Sequence, residues 1–229
     1  MKKIMMIFLT GSLAIALTAC GQDAPVIPES EGQVSQSPET PESRGTSSTG
    51  SMNTDAQLWF EDSVFFGDSI TEGLSYHDVL KEEIVLAGAG KTSEFALKDV
   101  EELAKRNPKR IYIQLGSDDI LWPTDDPIAY SMNNYAKLIE DMKQQLPQAR
   151  ITLLSVTPVT EAAEDKEPRY SRIADYNHSL KQLAERENVH FIDISPIFAD
   201  SPDLYDTDGI HFKPEYYPIL LEFLKDQVE

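Results

Sequence analysis

Five short apolar runs recur along the chain: Ser63 to Phe66, Ile84 to Ala87, Arg110 to Leu115, Arg150 to Val156 and His190 to Ile194. Each is continuous rather than alternating, as a strand covered on both faces requires. The stretches between them repeat apolar residues at three-to-four spacing. Ala96, Val100, Leu103 and Ala104 mark one helical face, and Met132, Tyr135, Leu138, Ile139, Met142 and Leu146 mark a second. Ile173, Tyr176, Leu180, Leu183 and Ala184 mark a third, and Tyr217, Leu221 and Leu224 a last one that follows Pro214. Asp126 ahead of Pro127 is a helix start signal. Parallel strands need crossover connections, so this alternation predicts an α/β domain with a five-stranded parallel sheet and helices on both faces.

The N-terminus has a different character. Lys2 and Lys3 precede an apolar stretch from Ile4 to Ala16 that is short for a bilayer span, followed by Leu17-Thr18-Ala19-Cys20. This reads as a secretory signal over residues 1–20, and its end resembles the lipobox of bacterial lipoproteins, which implies lipidation of Cys20 and anchoring to the outer face of the cell membrane. Cys20 is the only cysteine, so no disulfide can form within the chain. Residues 21–57 hold Pro25, Pro28, Pro38 and Pro41 among Ser, Thr, Gln, Glu and Gly without apolar periodicity, the composition of a disordered tether. Residues 58–229 are left as the folded domain.

Loss of Lys2 and Lys3 with the leader takes the net charge from −19 to −21. No basic run exists to neutralise phosphates, so nucleic acid is excluded as a partner, and membrane association is expected through the lipid anchor only.

In open parallel sheets ligands bind beyond the carboxyl ends of the strands. Gly67-Asp68-Ser69-Ile70-Thr71 follows the first run, Gly88-Ala89-Gly90-Lys91-Thr92 the second and Gly116-Ser117-Asp118-Asp119 the third, while Asp208-Gly209-Ile210-His211 precedes the last helix. Serine needs a base within hydrogen-bonding reach, usually a histidine fixed by a carboxylate. Asp208 and His211 stand three apart, so one loop can deliver both. Taken singly, Gly-Asp-Ser is ordinary turn chemistry and Asp-x-x-His is common. The ordered set, each member at a strand end or before the final helix, carries the argument.

These four blocks resemble those of the SGNH (GDSL-like) hydrolases over roughly residues 62 to 225. The resemblance implies a three-layer flavodoxin-like fold and a serine esterase working through an acyl-serine intermediate, without cofactor or metal. Ser69 would be the nucleophile, His211 the base and Asp208 its partner. The Ser69 backbone and Gly90 would contribute to the oxyanion hole, with Gly88 as the alternative glycine. The third block departs from the family, which has a hydrogen-bond-donating asparagine where this chain has Asp118; an ionised aspartate cannot donate.

Acetyl groups on wall or capsular polysaccharide are the expected substrate, followed by lipid esters. A non-catalytic glycan- or protein-binding module and an O-acyltransferase are the competing readings. Trp122, beside Pro123, is a candidate for lining the acyl pocket. His77, His178 and His190 lie outside the blocks and are expected to be structural or exposed, and the acidic stretch from Glu161 to Glu167 is expected to be a solvated loop.

Overall fold

The computed structural model describes residues 55–199 and 202–228. Cys20, the leader and nearly all of the 21–57 tether lie outside the described residues. Five strands, β1 (Ser63–Gly67), β2 (Val85–Ala87), β3 (Arg110–Gln114), β4 (Arg150–Leu154) and β5 (His190–Ile192), form one all-parallel sheet in the order β2-β1-β3-β4-β5. This is the flavodoxin-like order, and it puts the topological switch point between β1 and β3.

The helices are α1 (Ser69–Tyr76), α2 (Ser93–Ala96), α3 (Val100–Arg106), α4 (Pro127–Gln145), α5 (Glu161–Lys166), α6 (Ile173–Arg186) and α7 (Tyr216–Val228). Strand side chains alternate between faces and divide the core into two layers. Val64, Phe66, Ile111, Ile113, Ile151 and Leu153 pack with Leu103 of α3, Leu138 and Met142 of α4 and Leu180 of α6. Phe65, Tyr112 and Leu154 face the other way, onto Leu74 of α1 and Leu220 and Leu224 of α7. Residues 55–59 are helical, and Ala56 and Phe60 are buried in this second layer.

The third and fourth apolar runs extend beyond their strands, and so does the fifth, for local reasons. Val156 leaves the ladder because the Asn177 side chain takes both its N–H and its carbonyl, at 2.8 and 2.9 Å. β5 stops at Ile192 because the Asp193 carboxylate accepts the Ser195 N–H at 2.9 Å and turns the chain. The second run begins in a single 3-10 turn, Glu82–Ile84, before its strand starts at Val85. α4 begins as expected: Asp126 caps it by accepting the Ala129 N–H at 3.2 Å, and Pro127 occupies the first turn. The acidic stretch after Thr160 is a helix rather than a loop, because the Thr160 hydroxyl oxygen accepts the Ala163 N–H at 3.3 Å. Among the described residues no helix is long and apolar enough to cross a membrane.

Candidate active site

The turn from β1 into α1 sets the first component. Asp68 caps α1 by accepting the Ile70 N–H at 3.0 Å. Ser69 is therefore the first helical residue, and its own N–H has no acceptor within the helix. Its Oγ lies 2.9 Å from His211 Nε2, across 142 residues of sequence. His211 Nδ1 lies 2.6 Å from Asp208 Oδ2, and Asp208 Oδ1 accepts the N–H groups of Ile210 and His211, both at 2.9 Å. Partial burial works against the Asp208 charge, but the hydrogen bonds from the His211 ring and the two amides outweigh it and hold the carboxyl below its ordinary range.

The loop that carries Asp208 and His211 is braced on both sides. Asp206 N–H donates to the His211 carbonyl at 2.8 Å, Tyr205 and Phe212 form an antiparallel bridge, and Phe212 stacks on Tyr216 with centroids 4.2 Å apart. Gly209 adopts φ +75°, and a Cβ there would fall 2.0 Å from Thr160 Oγ1. Only glycine fits, and its carbonyl accepts the Thr160 N–H at 2.9 Å, which ties the loop to the start of α5.

The two glycines after β2 differ in what they can offer. Gly88 donates its N–H to the Gly67 carbonyl at 3.2 Å, extending the β1–β2 ladder, so that donor is already engaged. Gly90 is exposed at φ +72°, and its N–H has no backbone acceptor among the described residues. Asp118 sits half-buried where β3 gives way to a 3-10 turn, Asp119–Leu121. Burial first and the neighbouring Asp119 second push its carboxyl above the ordinary range, while His211 pulls it back.

Two buried networks lie under the site. Asp68 accepts the Ser117 hydroxyl at 2.5 Å, and burial pushes its carboxyl up to about 7 against that hydrogen bond. Asp119 accepts the Ser93 N–H at 3.1 Å, the Ser93 hydroxyl at 2.5 Å and the Ser131 hydroxyl at 2.6 Å. The Tyr176 hydroxyl, 2.6 Å from Ser131 Oγ, completes the chain. Sequence reasoning missed both networks; the Asp119 partners lie 26 and 12 residues away, and no local pattern links them.

The remaining histidines stand apart from this site. The His77 ring packs beside Tyr217, His178 pairs with Gln182 on the exposed face of α6, and His190 lies near Arg150 at the start of β5. An open groove of about 380 Å³ between α6 and the ends of β4 and β5 is lined by Asn177, His178, Phe191 and Asp193, and by neither Ser69 nor His211. Among the described residues no three of His, Cys, Asp or Glu group as metal ligands. Trp122 is half-buried at the end of the 3-10 turn that begins beside Asp118.

A doubly wound α/β domain with a serine, a histidine and an aspartate in file at the carboxyl edge of its sheet defines a hydrolase-type class. The chain belongs to the GDSL-like Lipase/Acylhydrolase family, whose model matches residues 65–219. Its fold is similar to that of a GDSL-like lipase from Bacteroides thetaiotaomicron, at 21% identity and TM-score 0.59 over 78% of this chain and 94% of that one. It is also similar to a lipase/acylhydrolase from Enterococcus faecalis, at 17% identity and TM-score 0.57 over 72% and 93% of the two chains. An acetylxylan esterase from Geobacillus stearothermophilus matches at 20% identity and TM-score 0.54, again over 72% and 93%. None of the curated protein sequences matches the chain.

Proposed function

We propose that this protein is a serine ester hydrolase that removes acetyl or other short acyl groups from cell-envelope polysaccharide, held at the membrane by lipid on Cys20. The observation that carries the reading is the 2.9 Å approach of Ser69 Oγ to His211 Nε2, with Asp208 2.6 Å behind the ring. Ser69 Oγ attacks the ester carbonyl carbon while His211 Nε2 takes its proton. The oxyanion that forms is met by the Ser69 and Gly90 N–H groups. His211 then returns the proton to the leaving alkoxide, and the C–O bond to the alcohol breaks. Water repeats the sequence on the acyl-serine and frees the acid. Asp208 keeps the Nδ1–H tautomer, so that Nε2 faces the serine as an acceptor.

The choice of polysaccharide over lipid is supported by the strongly negative net charge, −19 for the full sequence, which repels anionic headgroups. A panel of p-nitrophenyl esters of increasing acyl length, assayed with the wild type and Ser69→Ala, tests the reading. Turnover should be confined to short chains and abolished in the variant; turnover that survives in Ser69→Ala overturns it. The non-catalytic binding module is favoured by one observation, an aspartate at position 118 where the resemblance expects a donor asparagine, and it requires that the wild type show no turnover either.

A further inference from the structure

Three aromatic rings, two of them exposed and one half-buried, cluster on the segments that follow β2 and β3 and at the start of α4. Phe95 and Tyr130 are 41% and 37% exposed, although rings of this size are usually covered in a folded domain. Trp122 lies between them, edge-on to Phe95 at 5.5 Å and within 10° of parallel to Tyr130 at 6.4 Å. Their arrangement is fixed from beneath. The buried Asp119 carboxylate holds Ser93 and Ser131, so Phe95 lies two residues beyond one clamped position, Trp122 three beyond Asp119 itself, and Tyr130 next to the other. One buried group thus sets the relative positions of three segments from distant parts of the sequence.

The rim of this platform is polar. Glu94 faces the Tyr130 hydroxyl, and Lys98 Nζ lies 5.0 Å from the Phe95 centroid. Asn134, one turn along α4 from Tyr130 and buried, turns its amide toward the Tyr130 oxygen and helps hold that ring in place. The platform is also next to the chemistry. Trp122 closes the 3-10 turn that starts after Asp118, about 8 Å along the chain at 2 Å per residue, and Asp118 is close enough to His211 to feel its charge.

We infer that Phe95, Trp122 and Tyr130, rimmed by Glu94 and Lys98, form a subsite for a neutral sugar ring of the acylated glycan. A pyranose has an apolar C–H face that packs on an aromatic ring and a hydroxyl edge that needs donors and acceptors around it, which is the composition found here. An acyl chain would instead require a dry aliphatic cleft, and an anionic sugar would be opposed by Glu94 and by the net charge of −19. The inference rests on the esterase reading only in taking the bound sugar to carry the ester.

The test is equilibrium binding to the Ser69→Ala protein, with xylohexaose, chitohexaose, hexagalacturonic acid and dodecylphosphocholine as probes. Tryptophan fluorescence is read in a Trp59→Phe background, so that Trp122 is the only reporter. A neutral hexasaccharide should shift the emission and bind, and Trp122→Ala and Tyr130→Ala, read by calorimetry and checked for fold by circular dichroism, should each weaken it by about tenfold or more. Binding of neither neutral probe, binding indifferent to Trp122→Ala, or binding of the detergent alone overturns the inference. Fluorophosphonate labelling of Ser69 in a protein that binds no sugar would leave the esterase reading standing and end this one.

Discussion

Asp68, next to the candidate nucleophile, yields a prediction whose sign follows from its burial. The residue is 2% exposed, and burial pushes its carboxyl from an ordinary 3.8 up to about 7, against the hydrogen bonds from Ser117 and the Ile70 N–H. Asp118 and Asp119 add to the rise. Between these two values the folded chain keeps a proton that the unfolded chain has released. The stability this group contributes is therefore fully present below the unfolded pKa and lost as pH rises through the folded one. At about 1.4 kcal/mol per unit the whole gap amounts to about 4 kcal/mol, of which about 3 kcal/mol falls between pH 5 and 8. Asp68→Asn removes the titration yet keeps an oxygen to cap α1. Urea unfolding of both proteins at closely spaced pH values gives the difference directly. The wild type should lose about 3 kcal/mol relative to the variant from pH 5 to 8. Parallel stability curves, or a wild type that gains on the variant as pH rises, would refute the reasoning.

Other outcomes follow from the same geometry. Asp208→Asn should lower kcat by about 10³ to 10⁴, because the Ile210 and His211 amides retain the side-chain oxygen and turn its NH₂ toward His211 Nδ1, which puts the ring proton on Nε2; an unchanged kcat excludes the tautomer argument. Asp118→Asn should hydrolyse short esters increasingly better than the wild type as pH rises above the ordinary carboxylate range, since burial and Asp119 delay but do not prevent ionisation of Asp118; the ratio should approach about 10² to 10³, and superimposable pH profiles remove Asp118 from the oxyanion. Gly116→Ala should destabilise the fold by about 2 to 4 kcal/mol in urea titrations, because its Cβ would lie 2.4 Å from Val156 Cγ2 and 2.6 Å from Tyr176 Cε1 at φ +138°.

The α/β class was legible because buried parallel strands are continuous apolar runs, and β1, β3 and β4 begin at the residues the runs indicate. Strand ends were less legible. At Val156 and Asp193 the backbone is captured by side chains, one of them 21 residues distant, which apolarity does not register. α1 escaped notice because Gly73 and a length of 8 residues blunt its periodicity, although Asp68 as cap and Glu72 in the first turn were available as signals. Ser69, Asp208 and His211 could be selected by chemistry and position. Which glycine has a free N–H could not, because the engagement of Gly88 depends on a hydrogen bond to Gly67 from the neighbouring strand. The Asp119 clamp was illegible for a similar reason: its partners come from α2 and α4, and only the folded chain brings them together.

All of the proposed chemistry requires that His211 activate the Ser69 hydroxyl. Its most direct test is mass spectrometry of the intact protein after exposure to a fluorophosphonate, followed by peptide mapping, with His211→Ala run in parallel. A single adduct on the peptide containing Ser69, lost in His211→Ala, is the expected result. An adduct on another residue, or modification of Ser69 at the same rate without the imidazole, would contradict it.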